Sequence, residues 1–597
     1  MEMSFEMGTN STNSDETSGT TPVLDHTTST FGQTSSEDSS SSYNSTPTSK
    51  SLSTSAAMPR QMRTLEDLYA NTKEIKETYA CQFALSLVEP VTYKDALTQE
   101  AWVTAMKEEL ESLEAHKTWS LTDLPEGKHA IGLKWVFKIK TDAAGKVNWY
   151  KARLVAKGYV QEHGIDYEET FSPVAHFETI RLILSLAAQS GWKVYQLDIK
   201  SAFLNGVLQE EVYVTQPPGF EVKGKETQVY RLHKALYGLK QAPRAWYSRI
   251  DGFFSDNGYN RSVNEPTMYV KRCQGNQMIV ICVYVDDIIY TGTSLELLVD
   301  FKSKMVKEFE MTDLGLLQYF LGLEVSQMKT GIFLSQKKYT GELLKKFGMT
   351  SCKFAATPMS PGDRLIVDDG GQDIDGYRFR SLVGGLIYVT HSRPDIAFAV
   401  SILSRFMHCP SHHHFGAGKR ILRYLAGTIG YGLWYGNGYD VELTGYTDSD
   451  WAGSSEDMKS VSANVFSIGS GAISWSSKKQ PVVALSTTEA EYISAAVGAC
   501  QAVWLRKMLR ELCCEQKDAT PIFCDNRSAI FLTKNQAFHS RTKHINIKFH
   551  YIRSLTESKE VLLEPCDTNE QIADILTKAL GEEKFSYFRA KMGVVVI

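Results

Sequence analysis

Apolar and polar residues recur along the chain with the periods of helices and strands once a long polar start has ended. Apolar residues spaced near 3.6 predict an amphipathic helix over Lys94–Ala115. Strand-like segments follow at Lys134–Lys140 and Lys151–Ala156, and the turn residues Asp142–Gly145 between them predict a β-hairpin. Basic residues line this hairpin: Lys134, Lys138, Lys140, Lys146, Lys151, Arg153 and Lys157.

Further along, the pattern predicts a helix, a strand and a second hairpin. Ile180–Ala188 has helical spacing, and the strand-like segment Lys193–Ile199 follows it. The apolar strands Gln277–Val285 and Ile288–Thr291 enclose the acidic pair Asp286-Asp287, which we expect to form the turn.

A segment rich in Pro, Gly and Asp, from Pro358 to Gly376, separates two series of predicted elements. Residues of this kind form connections, so we place a domain boundary there. The pattern of Ser381–Thr428 is mostly helical, and from Val441 a new series of strands, a long helix, a short strand and a final helix reaches the C-terminus. The chain of 597 residues is therefore expected to form several domains.

The first 60 residues differ in composition from the rest of the chain. They contain 28 Ser or Thr and few large apolar residues, so they cannot bury enough apolar surface to offset the entropy cost of folding, and we predict disorder. They also hold seven acids and two bases, which leaves 62 residues of each sign in the remainder of a chain with net charge −5. A neutral remainder is compatible with a nucleic-acid enzyme whose basic residues line one channel.

The composition also disfavours a membrane protein and a secreted protein. No apolar run approaches the roughly 18 residues that span a bilayer, and the polar start lacks the basic and apolar regions of a secretory signal. The ten cysteines are scattered, with no CxxC and no zinc-finger spacing. We expect an intracellular protein with reduced thiols and no membrane partner.

Two acidic motifs have the character that nucleotidyl transfer requires. Asp198 ends an apolar strand, and Asp286 and Asp287 lie in the turn of the second hairpin. Nucleotidyl transfer uses two divalent cations about 3.5–4 Å apart, and carboxylates are suitable ligands for magnesium. Either motif alone is typical of an ordinary solvated turn, but the two in this order favour a metal site.

With neighbouring motifs, they resemble the reverse transcriptase and ribonuclease H portion of a copia-type (pseudoviral) LTR retrotransposon Pol polyprotein. The resemblance runs from about residue 90 to about residue 585. The motifs that carry it are Lys134–Lys138 (KWVFK), Tyr150–Gly158 (YKARLVAKG), Leu197–Gly206 (LDIKSAFLNG), Leu236–Trp246 (LYGLKQAPRAW) and Tyr284–Asp287 (YVDD).

The resemblance implies an α+β right-hand polymerase with fingers, palm and thumb, a connection region and an α/β ribonuclease H-like domain. It places the polymerase at 90–350, the connection at 377–435 and the ribonuclease H-like domain at 440–585, after the disordered tail 1–60. The implied activities are RNA-directed DNA synthesis and cleavage of the RNA strand of RNA–DNA hybrids. An RNA template, a DNA primer, the hybrid and deoxynucleoside triphosphates are the implied partners, and the implied cofactor is Mg²⁺, two ions per active site, with Mn²⁺ as an alternative.

Carried over residue by residue, the resemblance assigns metal binding to three polymerase carboxylates. Asp198 and Asp286 are implied as direct ligands, and Asp287 completes the set. Lys151 and Arg153 are alternatives for gripping the triphosphate, since a guanidinium fork pairs well with phosphate oxygens. A solvated basic face of the hairpin is the other interpretation of these two residues.

Three further residues are implied to lie beside the nucleotide. Phe203, five residues after Asp198, matches the bulky side chain that rejects a ribose 2′-hydroxyl, with a core aromatic as the alternative. Tyr237 and Gly238 match the segment that packs beside the incoming nucleotide and the template base.

A second set of acids resembles the Asp-Glu-Asp-Asp set of the ribonuclease H fold, in which two metals serve hydrolysis. Each follows a strand or lies near the start of a helix, the last of them early in the predicted final helix: Asp448, Glu489, Asp525 and Asp574. Asp450 and Glu491 are rivals two residues further on. We prefer Asp448 because it directly follows the strand Val441–Tyr446, and Glu489 because of its Thr-Glu context.

Other residues of the C-terminal half have two interpretations each. Trp475, Lys478 and Lys479 are candidates for contacts with the hybrid backbone, although exposed lysines usually contribute nothing specific. His544 and His550 lie in a copia-like segment, and either shuttle protons or pack as structural histidines.

One segment departs from the family pattern. The run His412–His414 is interpreted as a solvated turn, because consecutive residues do not share a face. The segment His414–Gly418 departs from the usual pattern, which carries a tryptophan after the histidine and no glycines, and each glycine in a helix costs about 1 kcal/mol. We attribute this departure to drift in a decaying copy.

The resemblance leaves three hypotheses open. The first is an active reverse transcriptase with ribonuclease H; the second is an inactive relic that binds nucleic acid; the third is a nuclease with an inactive polymerase half. The capsid, protease and integrase parts are missing, so we expect a fragment, a truncated copy or a processed part of a polyprotein. The family implies cytoplasmic particles, with the nucleus as an alternative, and the oligomeric state is left open.

Overall fold

The computed structural model describes residues 89–141, 147–534 and 544–597. All of them belong to the unit Thr72–Ile597. The tail 1–60 and the turn Asp142–Gly145 lie outside the described residues. Among the described residues, no helix has both the length and the apolar content needed to cross a bilayer.

The N-terminal part is built from two helices, a small sheet and a long hairpin. Its elements are α1 Tyr93–Leu97, α2 Glu100–Ala115, β1 Trp119–Thr122, β2 Ala130–Ile131, β3 Leu133–Thr141 and β4 Val147–Ala156. The helix predicted over Lys94–Ala115 is therefore two helices, because Thr98 ends the first and its hydroxyl donates to the Asp95 carbonyl at 2.6 Å. The predicted hairpin is confirmed, with β3 and β4 antiparallel.

The two faces of this hairpin have different roles. Trp135, Phe137 and Leu154 point into a core shared with Trp102 of α2, whose ring centre lies 5.2 Å from that of Phe137. Successive residues of a strand alternate between faces. The basic residues therefore occupy the other face, and Lys138 lies directly opposite Lys151.

A six-stranded sheet, here called the central sheet, forms the middle of the molecule. The elements of this part are α3 Phe177–Ser190, β5 Tyr195–Ile199, β6 Val207–Val214, β7 Val229–Lys234, α4 Ala242–Asp256, β8 Asn260–Arg261, β9 Met268–Arg272, β10 Met278–Tyr284, β11 Asp287–Gly292, α5 Leu295–Glu308 and β12 Met311–Leu316. The central sheet has the strand order β12-β5-β11-β10-β9-β8, and a smaller sheet has the order β1-β7-β6-β2.

Both faces of the central sheet are covered at β10, which explains why this strand is apolar along its whole length. In β10, Ile279, Ile281 and Val283 belong to a core with residues of α4 and α5. The alternate residues Val280 and Cys282 belong to the core that contains α3. A strand buried on both faces has no polar alternation.

The remaining elements lead from the central sheet to the C-terminus. They are β13 Tyr319–Phe320, β14 Leu323–Met328, β15 Gly331–Ser335, α6 Lys337–Lys346, α7 Gly376–Val389, α8 Ala397–Ser404, α9 His412–Gly427, β16 Tyr431–Gly436, β17 Leu443–Ser449, β18 Val461–Ile468, β19 Gly471–Lys479, α10 Thr487–Glu511, β20 Thr520–Cys524, α11 Arg527–Lys534, α12 Tyr551–Glu557, β21 Val561–Pro565, α13 Glu582–Lys591 and β22 Val594–Val596. The five-stranded C-terminal sheet has the order β19-β18-β17-β20-β21.

One sheet, here called the bridging sheet, crosses the predicted domain boundaries. Its order is β13-β14-β15-β16-β22, so it joins three strands that come before residue 350, one that crosses residue 435 and one that comes after residue 585. The ranges 90–350, 377–435 and 440–585 stay predictions. Strands on either side of the predicted boundaries nevertheless form backbone hydrogen bonds with one another in the bridging sheet.

Helix α3 also packs directly on the C-terminal sheet. Arg181 is 2% exposed, and it donates from Nε to the Ile473 carbonyl at 2.7 Å and from a terminal nitrogen to the His391 carbonyl at 3.0 Å. Its guanidinium lies 3.9 Å from the ring centre of Trp475. The ring of Trp475 is thus occupied by an internal contact, which argues against its predicted contact with a hybrid.

The prediction of a solvated turn at His412–His414 is wrong. These residues open α9, and His414 is fully buried. Ser411 and His414 form a capping box, in which the backbone N–H of Ser411 donates to His414 Nδ1 at 2.9 Å. The His414 ring stacks on Phe406 with ring centres 3.9 Å apart. Its burial costs little free energy, because the capping hydrogen bond satisfies a ring nitrogen.

The glycines that follow have a structural explanation at one position. A Cβ at Gly418 would lie 2.6 Å from Leu382 Cδ2 of α7. Glycine therefore allows close packing between α9 and α7, which offsets its low helix propensity. The departure at Gly418 does not require drift.

Candidate active sites

The first acidic pair lies where β10 turns into β11, but the predicted turn is shifted by one residue, because Asp286 lies in the turn and Asp287 begins β11. Tyr284 lies opposite Asp287, so Val285 and Asp286 alone form the turn. Val285 adopts a φ of 56°, which is rare for a β-branched residue. Trp246 of α4 secures it, because Trp246 Nε1 donates to the Val285 carbonyl at 2.6 Å.

Strand pairing brings this turn to Asp198. Asp287 of β11 lies opposite Asp198 of β5, and the Ile199 N–H donates to the Asp286 carbonyl at 2.9 Å. Burial and then the charge of Asp286 raise the pKa of Asp198. The structure therefore places the three predicted polymerase carboxylates together at one end of the central sheet.

These carboxylates differ in their hydrogen bonds. Gln196 Nε2 donates to Asp287 at 3.0 Å, while burial raises the pKa of Asp287 to about 6. The carboxylate of Asp286 accepts no hydrogen bond from the part of the chain that the structure describes. The negative charges of Asp198 and Asp286 repel each other. A divalent cation would offset this repulsion, and carboxylate oxygens are ligands that fit Mg²⁺.

Basic residues of the hairpin face the same space. Burial, followed by the charges of Arg153 and Lys140, lowers the pKa of Lys151, whereas Asp198 acts to raise it. Lys151 also lines a cavity of 610 Å³ that contains Ser201. The positive charges of β4 thus lie across from the negative end of β5.

Phe203 and Tyr237 form an aromatic wall beside Arg153. Their ring centres are 4.7 Å apart, and the Arg153 guanidinium lies 5.0 Å from the Tyr237 ring centre. The Ala156 N–H donates to the Tyr237 carbonyl at 2.7 Å. Phe203 is only half-buried, so it lies at the edge of a core rather than inside it.

Gly238 is required by the close approach of two backbones. Its φ is +93°, and a Cβ there would lie 2.2 Å from the Ala156 carbonyl oxygen. Only glycine fits such a position. Gly238 thus positions Tyr237 against the hairpin, and the assignment of both residues to nucleotide contacts stays a prediction.

The second acidic centre lies at one edge of the C-terminal sheet. Oxygens of Asp448, Asp525 and Asp574 all lie within 4.8 Å of one another. Strands β17 and β20 are parallel neighbours, so their carboxyl ends deliver Asp448 and Asp525 to the same edge. The predicted position of Asp574, early in the final helix, is wrong. Asp574 lies in the short 3-10 helix Ile572–Leu576, before the final helix begins.

The structure places Glu491, rather than Glu489, beside Asp525. Glu491 and Asp525 offer ligand atoms, together with Cys524, within 4.8 Å. Burial, followed by the charges of Asp448 and Asp525, raises the pKa of Glu491. Burial also raises the pKa of Asp448. Four buried or half-buried carboxylates that repel one another are a donor set that fits divalent cations.

Glu489 has other partners. It lies in the first turn of α10, where it accepts a hydrogen bond from the Leu485 N–H at 2.8 Å and pairs with His544 Nε2 at 3.3 Å. The metal assignment of Glu489 therefore stays a prediction that this geometry does not favour. The Thr-Glu context of Glu489 does not show which side of α10 faces the C-terminal sheet. In the structure, the side of α10 that carries Glu491 faces the sheet edge at Asp525.

A paired substitution separates the two glutamates. We expect Glu491→Gln to lower hybrid cleavage by about 100-fold or more, because it removes a metal carboxylate. Glu489→Gln weakens an ion pair with a half-exposed histidine, so we expect less than about a tenfold loss. Rates of cleavage of labelled RNA in a hybrid measure both. The opposite ranking would restore Glu489 to the metal set.

The rival Asp450 has a structural role. Its carboxylate accepts a hydrogen bond from the Val461 N–H, and burial raises its pKa to about 6. It therefore holds the end of β17 against β18, which leaves Asp448 as the acid that faces the cluster.

Sequence reasoning missed two lysines at this centre. Lys578 Nζ lies 2.7 Å from Asp574, and Lys584 Nζ lies 2.9 Å from the same carboxylate. Lys578 also lies 3.8 Å from Asp448. The spacing of four residues between Asp574 and Lys578 is a signal for such a pair.

The remaining predicted residues divide between packing and exposure. The Tyr492 hydroxyl lies 3.0 Å from His550 Nδ1, a contact that supports the structural interpretation of His550. Lys479 pairs with Asp457 at 2.7 Å. Lys478 is exposed, and no carboxylate of the described residues lies within ion-pair distance of it.

Comparisons with known proteins agree with the motifs. Residues 116–361 match the family model described as reverse transcriptase (RNA-dependent DNA polymerase). The chain is 43% identical over 519 residues to the retrovirus-related Pol polyprotein from transposon TNT 1-94 of Nicotiana tabacum. The aligned residues make up 85% of this chain and 39% of that protein.

Two further relatives extend the comparison. Identity to the retrovirus-related Pol polyprotein from transposon RE1 of Arabidopsis thaliana is 41% over 524 residues, or 87% of this chain and 36% of that protein. Identity to a putative transposon Ty5-1 protein of Saccharomyces cerevisiae is 34% over 302 residues, or 50% of this chain and 98% of that protein. The chain spans less than two fifths of the length of the two Pol polyproteins.

Proposed function

This chain belongs to the reverse transcriptase family of copia-type, retrovirus-related Pol polyproteins from transposons, and we propose that it copies RNA into DNA and cleaves the RNA strand of the hybrid. The observation that carries the polymerase part is the meeting of Asp198, Asp286 and Asp287 opposite Lys151 and Arg153. Negative charge at the strand ends and positive charge on the hairpin together suit a metal-bound triphosphate.

In the proposed polymerase centre, Asp198 and Asp286 hold the cations. Divalent cations held by these residues would supply activation of the primer 3′-hydroxyl and neutralisation of charge on the leaving pyrophosphate. Asp287, bonded to Gln196, keeps the turn in place. Arg153 presents a planar fork to the triphosphate, and Lys151 adds a second positive charge. We further propose that residues 90–350 form the fingers, palm and thumb, residues 377–435 the connection region, and residues 440–585 a ribonuclease H-like domain.

The aromatic wall provides a test of sugar selection. We expect Phe203→Ala to raise ribonucleotide incorporation relative to deoxynucleotide incorporation by about tenfold or more, because the smaller side chain leaves room for a 2′-hydroxyl. Single-nucleotide extension with each triphosphate measures the ratio. Unchanged discrimination would assign Phe203 to packing against Tyr237 alone.

In the proposed nuclease centre, Asp448, Glu491, Asp525 and Asp574 hold the cations. Cations held by these residues would supply activation of water and stabilisation of the oxygen that leaves the scissile phosphate. Lys578 and Lys584 orient Asp574 through two ion pairs. The parallel pairing of β17 and β20 fixes the spacing between Asp448 and Asp525.

Primer extension on an RNA template by the full chain, with Mg²⁺ and then with EDTA, tests the proposal. Metal-dependent extension together with cleavage of labelled RNA in a hybrid supports both activities. Cleavage without extension would select a nuclease with an inactive polymerase half. Tight hybrid binding without either reaction would identify a binding relic and overturn the proposal.

A further inference from the structure

The end of helix α10 is capped by two adjacent cysteines, Cys513 and Cys514. The Cys514 N–H donates to the Leu509 carbonyl at 2.8 Å. The Cys513 N–H donates to the Arg510 carbonyl at 3.2 Å. These two hydrogen bonds form a Schellman motif, in which the residue in the place of Cys513 is left-handed and usually glycine. The φ of Cys513 is 59°, so a thiol occupies a position whose backbone favours glycine.

Both thiols are free, and they differ in exposure. Cys513 is exposed, whereas Cys514 is half-buried. Burial, followed by the charge of Cys513, raises the pKa of Cys514, as expected for two groups on neighbouring residues. Once a small disulfide has reacted with one of the two thiols, the other can attack the resulting mixed disulfide. The pair can therefore react as a dithiol, which an isolated exposed cysteine cannot do.

The same end of α10 contacts the central sheet through four residues, here called the α10 joint: Asn264, Arg272, Trp504 and Glu511. Arg272, at the end of β9, donates from a terminal nitrogen to the Glu511 carbonyl at 2.7 Å. The Glu511 side chain accepts a hydrogen bond from Asn264 Nδ2 at 2.5 Å, and Trp504 Nε1 donates to the Asn264 carbonyl at 3.2 Å. Glu511 lies two residues before Cys513, so the joint depends on the backbone that the cap fixes.

We propose that Cys513 and Cys514 form a thiol–disulfide site, and that oxidation of this site by a low-molecular-weight disulfide loosens the α10 joint. The thiolate of one cysteine attacks a sulfur of the small disulfide, which forms a mixed disulfide and releases one small thiolate. The second cysteine then attacks the mixed disulfide, which closes the bond between the two cysteines and releases the second small thiolate. Each small thiolate takes up a proton that a cysteine has lost. The protein is thus oxidised by two electrons, and the small disulfide is reduced to two thiols.

Closure of this disulfide is incompatible with the present cap. Residues joined by a disulfide usually have Cα atoms about 4.4–6.8 Å apart, whereas neighbouring Cα atoms across a trans peptide are about 3.8 Å apart. The backbone at Cys513 and Cys514 must therefore change when the ring closes, which disturbs the capping hydrogen bonds and the Glu511 carbonyl that Arg272 holds. A strained and exposed disulfide is also readily reduced. The state of the pair therefore follows the ratio of small disulfide to small thiol around the protein.

Peptide masses of the full chain test the chemistry. The chain is equilibrated with a mixture of glutathione and glutathione disulfide, and its free thiols are then alkylated in denaturant. Trypsin cleaves after Arg510 and Lys517, so both cysteines are released in one peptide, residues 511–517. We expect this peptide to be unalkylated and lighter than its dithiol form by two hydrogen atoms. A stable glutathione adduct, or alkylation of both cysteines, would overturn the inference.

Hydrogen exchange tests the structural consequence. In the oxidised chain, we expect the amide hydrogens of the last turn of α10 and of β9 to exchange about tenfold faster, because their contacts open more often. Cys514→Ser should abolish this response, since one thiol cannot close the ring. Cys513→Gly should abolish it as well, and this variant should melt at a higher temperature than the parent because glycine suits the left-handed backbone. Cys500→Ser removes another exposed cysteine of α10 and should retain the full response.

Arg272→Gln tests the link between the cap and the joint. In the reduced chain, this substitution should speed exchange of the same amide hydrogens, and oxidation should then add less than it adds in the parent chain. Unchanged exchange after complete oxidation, or a full response in Cys513→Gly, would contradict the inference. None of these measurements requires catalysis, so a failure of the proposed function would leave their outcome unaffected.

Discussion

Replacing Asp286 with asparagine is expected to lower primer extension by about three orders of magnitude and to leave hybrid cleavage essentially unchanged. The carboxylate of Asp286 accepts no hydrogen bond from the described residues, so its loss removes a metal ligand and little else. The backbone contact from Ile199 to the Asp286 carbonyl persists in the variant. The turn should therefore retain its shape while the negative charge is lost.

Asp300→Asn is the matched control for this substitution. Asp300 lies on α5 and pairs at the surface with Lys304 at 2.7 Å, and exposed pairs of this kind contribute little to stability. Extension by the control should equal that of the parent chain, measured with the same primer and RNA template. Equal loss of synthesis and cleavage in the Asp286 variant would contradict the presence of two separate centres.

Replacing Asp525 with asparagine should have the opposite effect. Asp525 belongs to both groups of ligand atoms at the C-terminal edge, one with Asp448 and Asp574 and the other with Glu491. Its loss is expected to lower hybrid cleavage by about three orders of magnitude. Primer extension should not change, because the polymerase acids lie at the end of a different sheet.

The Asp525 variant also has an expected effect on stability without metal. The charge of Asp525 helps to raise the pKa of Glu491, which shows that the two groups repel each other. Removing one charge should therefore raise the melting temperature of the metal-free protein and reduce its stabilisation by Mg²⁺. Asp440→Asn, at an exposed position before β17, is the control, and a lower melting temperature in the Asp525 variant alone would contradict this account.

The hairpins and the acidic motifs were predictable because their signals are local. The apolar run of β10 and the pair Asp286-Asp287 together predict an antiparallel hairpin with an acidic turn, and the structure confirms the hairpin with its turn one residue earlier, at Val285 and Asp286. Alternation along the first hairpin separates buried aromatics from lysines in the same way. In each case, neighbours in the sequence are also neighbours in space.

Other features depended on contacts between distant segments. Choosing between Glu489 and Glu491 requires the phase of α10 against β17 and β20, and two glutamates separated by one residue look alike in a linear pattern. His414 can be buried because its side chain forms a capping box with Ser411 at the start of α9. Gly418 is tolerated in α9 because α7 packs close to it. The sequence presents each of these residues without the partner that determines its role.

The sequence by itself determined the family, the order of the elements and six of the seven carboxylates that the structure gathers into two clusters. Only the tertiary structure decided the position of Glu491, the ion pairs of Asp574 with Lys578 and Lys584, and the contact of Arg272 with the end of α10. The physical reason is range. Strand period, turn chemistry and charge are properties of a few consecutive residues, whereas burial, helix phase and hydrogen-bond partners are set by segments that meet only after the chain has folded.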